Sequence, residues 1–394
     1  MKPKFLVVFL KELRETLRDK RTLGLLLLFT VMYPALIGYV VQQTINRATK
    51  SEREDLTIAV IGASQAPTLM AQLKQRNIKV EDPGTLDEAG ITGLLQARKF
   101  PVVLRLTDKF TENYAAMRPA RVELWYDSAD EKGARRHDVE DVLEAYGANV
   151  ASARLLAHGV SPATLAPIQV QRFDTGTNAS RSAGLIGSLL GVLFVPVFIC
   201  GMSSAIDSTA GERERRSLEV LMAQPAHAWE LVVGKWLTSA SLALGGVMFE
   251  MLLAHAILSW LPLEEIGMSW SLTLADLALV VFVTVPLCLF AAGLQVALAM
   301  NARSFKEAQS TLSFVMLLPL LPGIVIPMME LKTASWMYMV PVLSNQTLLR
   351  EMTKGGELGV LPYAMTFACS ALAALVAVGF ATWRMKSERY VLSV

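Results

Sequence analysis

Six predominantly apolar stretches recur along this chain, at approximately 23–41, 183–206, 236–258, 274–300, 311–329 and 362–383. A helix rises 1.5 Å per residue, so about 20 such residues cross the roughly 30 Å hydrocarbon core of a bilayer with their backbone hydrogen bonds satisfied internally. With 53% hydrophobic and only 18% charged residues, the chain has an apolar surplus that a lipid solvent accommodates and an aqueous one does not. The expected fold class is therefore an α-helical polytopic membrane protein with six transmembrane helices. Pro286, Pro319, Pro322 and Pro327 each remove a helical donor, so broken or kinked helices are expected in the fourth and fifth runs.

Net charge is only +2, which gives no argument for a nucleic-acid partner, but the cations are unevenly placed. Lys2, Lys4, Lys11, Arg14, Arg18, Lys20 and Arg21 precede the first run, and Arg213, Arg215, Arg216 and Lys235 separate the second from the third. Arg303 and Lys306 separate the fourth from the fifth, and Arg384, Lys386 and Arg389 follow the sixth. With six spans all four clusters share one side, which basic loops mark as the cytoplasm. The N-terminus is expected there, and in a bacterium the location would be the inner (cytoplasmic) membrane. The opposite loop Leu261–Thr273 has no Lys or Arg, and Glu330–Leu361 has only Lys332, Arg350 and Lys354. No small-residue cleavage site follows the first run, so it reads as a retained anchor. Cys200, Cys288 and Cys369 lie in apolar stretches without metal or disulfide spacing and read as core residues.

The expected order of parts is a cytoplasmic amphipathic helix (1–22), a first transmembrane helix (23–41) and an extracytoplasmic α/β domain (42–182). The remaining five helices (183–385) follow, with a cytoplasmic coupling loop at 207–235, and then a cytoplasmic tail (386–394). Phe5, Phe9, Leu13 and Leu17 recur every four residues among cations, the pattern of a helix lying in the membrane interface. In the inserted domain, strands are expected at Leu56–Ile61, Ile78–Glu81, Val102–Leu106 and Val122–Tyr126. Helices are expected at Ser64–Asn77, Leu86–Arg98 and Asp138–His158, the second with Thr85 and Glu88 at capping-box spacing and the third stopped by Gly159. The Asn178–Ser180 glycosylation pattern carries no weight.

An ATP site would need GxxxxGK[ST] on a strand-to-helix turn; Gly234 and Lys235 lack the upstream glycine and precede Trp236. No catalytic role is assigned to any residue, no metal ligands are named, and no cofactor is expected on this chain. The most informative segment is Glu212–Pro225, ERERRSLEVLMAQP, followed by Glu230–Lys235, ELVVGK. A short helix there would expose Glu212, Arg213, Glu214 and Arg216 and turn Leu218, Val220, Leu221 and Met222 to apolar faces, which suits the seating of a soluble partner. From charge alone, a solvated loop that merely sets topology explains it as well. Glu250 is the one acid deep in an apolar run; a lone acid in lipid marks a pathway or a hydrogen-bonded partner, with Gln295 and Asp276 as weaker pathway candidates.

In residue order, proline, glycine-lysine and position between the second and third spans, this segment resembles the signature of type-2 ABC transporter permeases, with Ser217 where the family usually has Thr. The resemblance covers essentially the whole chain and looks closest to the branch with a large external domain, which includes sodium-efflux and drug or lipid exporter permeases. It implies that Glu212, Arg213, Glu214, Arg216, Leu218, Glu219, Leu221, Pro225, Gly234 and Lys235 couple the chain to a separate ATPase subunit, which uses ATP and Mg. It also implies a second permease copy or a similar permease, with the pathway formed between the two; Glu250 and Gln295 are candidates to line it. A periplasmic partner for the external domain is a further expectation. The stretch Pro341–Glu351 resembles the family's re-entrant helices at the external mouth, although an ordinary amphipathic loop reads equally well. Alternatives from other classes are an ion-driven secondary transporter, a membrane sensor or mechanotransmission protein, and an intramembrane enzyme; for the last, Glu264 and Glu265 lack suitably spaced His or Asn partners.

Overall fold

The computed structural model describes residues 3–53, 56–127, 136–165, 177–178, 182, 186–187, 189–222, 224–329, 331–355 and 358–386. Ala179 and Ser180 of the glycosylation pattern, the start of the expected second span, the tail at 387–394 and the side chains of Leu218, Glu219 and Met222 lie outside the described residues. The chain forms two compact units, one of residues 1–49 with 175–394 and one of residues 50–174.

The chain opens with α1 (Lys4–Arg18) and, after a break at Asp19, continues as α2 (Lys20–Arg53). The unit that follows contains β1 (Leu56–Ile61), α3 (Pro67–Gln75), β2 (Ile78–Glu81), α4 (Glu88–Gln96), β3 (Val102–Leu106), α5 (Phe110–Ala115), β4 (Val122–Tyr126) and α6 (Arg136–Ala157). Its sheet runs β2-β1-β3-β4, parallel except for antiparallel β4, whose Leu124 lies opposite Leu104. Ile58, Val60, Val102 and Leu104 are buried against Leu69, Leu73, Val139 and Val142 of the flanking helices. All four strands fall where alternation and β-branching put them. The helix α4 starts later than expected: Asp87 caps it by accepting from Gly90 N at 2.8 Å, and the Thr85–Glu88 box does not form. The short helix α5 was not anticipated, since six residues carry too little periodicity to announce a helix.

Among the described residues six helices are long and apolar enough to cross a membrane: Thr22–Thr49, Leu190–Glu214, Ala228–Trp260, Leu274–Ala299, Phe305–Ile326 and Val360–Met385. The second comprises a 3₁₀ stretch, α7 (Val195–Ile206), a π-helical turn (Asp207–Gly211) and a last turn at Glu212–Glu214. A short α8 (Ser217–Met222) leads to α9 (Ala228–Trp260), so the segment expected as a loop over 207–235 is mostly helical. Glu230 starts α9 early by accepting from His227 N at 2.8 Å. Thr273 and Asp276 cap α10 (Leu274–Ala299) reciprocally, which gives Asp276 a structural task at the helix start.

The helix α10 continues through Pro286, contrary to the expected break. Near that proline, Asn345 Nδ2 donates to the Val283 carbonyl at 3.5 Å and to Thr284 Oγ1 at 3.3 Å. The fifth span is interrupted: α11 (Phe305–Val315) gives way to turns before α12 (Leu320–Met328), where Pro319 cannot donate. After α13 (Leu343–Thr353), α14 (Val360–Met385) lies along α10, and Trp236 Nε1 ties α9 to α10 through the Leu289 carbonyl at 2.7 Å. The core of the bundle is built from Phe194, Phe198, Val247, Leu287 and Ala291.

Candidate functional site

One end of the bundle is organised by a close helix crossing. A Cβ on Gly234 would lie 2.7 Å from Val8 Cβ and Cγ1 and 3.0 Å from the Phe5 carbonyl, so α1 and α9 approach at a point where only a hydrogen fits. One residue further, Lys235 is fully buried. Its Nζ donates to Glu212 Oε2 at 2.7 Å and to the Ser208 carbonyl at 2.6 Å, and lies 3.4 Å from Glu12 Oε1. Lys11 closes the network at 3.1 Å from Glu12, 3.6 Å from Glu212 and 3.5 Å from Glu15. Partial burial alone would pull Lys11 down, but Glu12, Glu212 and Glu15 outweigh it and hold the ammonium above its ordinary value.

The network fixes the segment beside it. Gly211 and Ser208 belong to the π-helical turn, a widened turn of the kind that accumulates at functional positions, and its Ser208 carbonyl is the one Lys235 takes. Arg213 turns inward, donating Nη1 to the Ala302 carbonyl between α10 and α11 at 3.0 Å. Glu214 Oε2 accepts from Phe305 N at 2.7 Å, holding the first turn of α11. Arg215 pairs with Asp207, which makes Asp207 an ion-pair partner in the site. Arg216 ends the helix at φ 58°, a left-handed conformation that non-glycine residues rarely take. Ser217 then donates to the Glu212 carbonyl at 3.1 Å, and Lys4 Nζ donates to the Pro225 carbonyl.

The segment is thus anchored within and presents Glu214, Arg215, Arg216, Ser217 and Val220 outward, Val220 at 66% exposure. Glu212 and Arg213 correct the expectation: they are 9% and 8% exposed because their partners come from α1, α9 and the turn before α11, which local charge pattern does not reveal. Gly234 and Lys235 are likewise interior, and Leu221 is half-buried against Leu231 and Met300. Glu12 was missed. It sits four residues after Val8 and seven after Phe5, on the face of α1 that meets α9, and an acid on that face was the available signal. A cleft of about 410 Å³ opens beside the network between α1 and α8.

The two candidate pathway residues are not brought together. Gln295 Nε2 donates to the Phe198 carbonyl at 2.5 Å, at a level where Gly201 meets Ser239 of α9. Glu250 lies eleven residues beyond Ser239, about 16 Å along the helix at 1.5 Å per residue. It is fully buried with neither carboxyl oxygen hydrogen-bonded, one turn from Gly246, which sits against Cys200 and Thr30. A second polar island surrounds α13, where Ser344, Asn345, Gln346 and Thr347 are buried and Gln346 Nε2 donates to the carbonyls of Gly191 and Pro319 at 3.0 and 2.5 Å. Val342 precedes this helix at φ 74°, a strained value for a β-branched residue. Glu264 and Glu265 lie on a 3₁₀ turn, where Glu265 accepts from Thr49 at 3.2 Å. Among the described residues no His, Cys, Asp and Glu cluster suits a metal.

Residues 20–383 match the model of a family described as ABC-2 family transporter protein. The chain is 25% identical over 323 residues to the ABC transporter permease protein NatB of Bacillus subtilis (strain 168), covering 80% of each chain. No solved structure matches.

Proposed function

The chain belongs to the ABC-2 transporter family, as a multi-pass permease component of an ABC transporter, and on that premise we propose that it is the permease of an ATP-driven exporter. A separate ATPase subunit supplies the work: this chain binds no nucleotide, and ATP and Mg are held by the partner. The segment from Glu212 to Leu221 transmits the partner's motion. What carries this reading is the contrast within that segment, outward at Glu214, Arg216 and Val220 and locked inward through Glu212 to Lys235, Glu12 and Lys11. A push on its outer face is thereby delivered to α1, α9 and the start of α11 together.

In this reading the N-terminus and the basic loops are cytoplasmic, the α/β unit is extracytoplasmic, and the pathway forms against a second permease copy or a similar permease. Glu250 and Gln295 stay candidates to line it at two separate depths. The membrane is the bacterial inner membrane, and a periplasmic partner for the α/β unit belongs to the same proposal.

Arg216→Glu combined with Val220→Asp tests it, because both side chains are exposed and Arg216 makes no side-chain hydrogen bond or ion pair among the described residues. In detergent the native chain should co-purify with its ATPase subunit, and the double variant should lose at least about ten-fold in capture, the 1.4 kcal/mol of a modest hot spot, with unchanged thermal unfolding. Undiminished capture by the variant overturns the assigned contact surface; no capture by the native chain overturns the exporter reading itself.

A further inference from the structure

The α/β unit carries two adjoining clefts, of about 370 and 630 Å³, that share Tyr114, Tyr146, Val150 and Arg154. Both volumes fall in the range of small-molecule sites. The first is apolar within, lined by buried Leu69 and Phe110 and half-buried Leu143 and Val150. Gly147 also lines it, and a Cβ there would meet nothing within 4 Å, so the wall can receive a side chain without displacing any atom.

Among the described residues the charged side chains that line the clefts are both cationic, Arg118 and Arg154, beside neutral hydroxyls and the amides of Gln72, Gln75 and Asn149. Thr68 Oγ1 and Tyr146 Oη are 2.7 Å apart, and Tyr146 Oη donates to Tyr114 Oη at 3.5 Å. Arg154 lies over the Tyr114 ring at 4.9 Å and spends one Nη donor on the Tyr114 carbonyl at 2.8 Å. Arg118 lines the first cleft and makes no side-chain hydrogen bond or ion pair among the described residues. Among the described residues no carboxylate lines either cleft. A purely structural role accounts for Arg154, which clamps α6 to α5, but gives Arg118 nothing to do.

We propose that these clefts form a binding site for an amphipathic organic anion, an apolar chain or ring carrying one carboxylate or phosphate. The apolar body lies against Phe110, Leu143 and Val150, where its removal from water drives binding. The head is taken by the guanidinium forks of Arg118 and Arg154, whose planar donors match either oxyanion. Tyr146 supplies a neutral hydroxyl at the junction of the two clefts. This inference does not rest on the exporter reading, because it concerns only the residues of one compact unit.

Hydrogen exchange read by mass spectrometry on the full-length chain in phosphatidylcholine nanodiscs tests it, with decanoate, decyl phosphate and decanol as probes. Either anion should protect residues 110–118 and 143–154 while decanol does not, and the more protective anion identifies the head group. Arg118→Gln should weaken that protection about ten-fold or more, the loss expected for a hydrogen bond to a charged group. Gly147→Phe should abolish it by filling the cleft, with exchange in β1 and β3 unchanged as proof that the unit is folded. Equal protection by all three probes overturns the proposal in favour of a merely apolar groove. Absence of protection by either anion at about 1 mM, the weak limit of a specific site, overturns it outright, as does full protection in Arg118→Gln.

Discussion

Lys235 has no surface in water and, among the described residues, three oxygens within reach, so its positive charge is met by Glu212, Glu12 and the Ser208 carbonyl. Removing one member of such a group leaves the others as uncompensated buried charge, which costs about 3–5 kcal/mol. Lys235→Met should therefore lower resistance to thermal unfolding in detergent sharply, and the double variant Lys235→Met with Glu212→Gln should recover part of the loss. A coupling of more than about 1 kcal/mol between the two substitutions is the expected signature of direct contact; additive losses would mean that Glu212 is held mainly by something else. The arithmetic explains why a sequence reader puts Glu212 and Arg213 on the surface. Each is flanked by charges, and charged residues are rarely buried unless paired. The pairing partners lie some 200 residues upstream of Glu212 at Lys11, 23 residues downstream of it at Lys235, and some 90 residues downstream of Arg213 at the Ala302 carbonyl. The motif was legible at Glu212–Lys235; the side of the segment that faces inward was not.

At the scale of elements, apolar length and strand alternation survive translation into structure well, whereas helix ends and short helices do not. The span ends at Glu214 and Ala228 are set by Glu214 on Phe305 N and Glu230 on His227 N, polar contacts that hydropathy does not register. The helix α13 makes the same point, since its buried Ser344, Asn345, Gln346 and Thr347 read in sequence like an exposed loop. Its last turn carries a titratable tie: Glu351 Oε1 accepts from Thr333 and from Lys354, each at 2.5 Å. Partial burial alone would raise Glu351, but the bonds from Lys354 and Thr333 and the charges of Lys354 and Arg350 hold it below its ordinary 4.5. A carboxyl depressed on folding contributes stability that is complete above its unfolded value and is lost as pH falls through the folded one. Glu351→Gln should thus be less stable than the native chain at neutral pH by about 0.5–1 kcal/mol, as befits a partly exposed pair, and the gap should close below pH 4.5. A gap that persists in acid would assign the loss to side-chain shape and not to charge.

For the whole molecule, the six spans found among the described residues fix the alternation of loops but not its sign. The sign comes from Lys and Arg near the span ends, and here Arg215, Arg216, Arg303 and Lys306 agree with the cations of α1. The burial of Lys235 and Arg213 weakens part of that count, since a cation paired inside the protein contributes less to the field a membrane reads. Arg14, Arg18, Lys20, Arg216, Arg303 and Lys306 remain exposed or partly exposed, and they still outnumber the cations of the Leu261–Thr273 loop, which has none. Single cysteines decide the matter cleanly: Cys200 and Cys288 are buried and Cys369 lies within the sixth span, so the native background is low. Gln75→Cys in the α/β unit should react with a membrane-impermeant maleimide in spheroplasts whose outer layers have been removed. Val220→Cys and Lys306→Cys should react only after the inner membrane is opened. The reverse pattern would put α8 and its surroundings outside, away from any source of ATP, and the exporter reading would fall with it even if the family, the six spans and the buried network all stood.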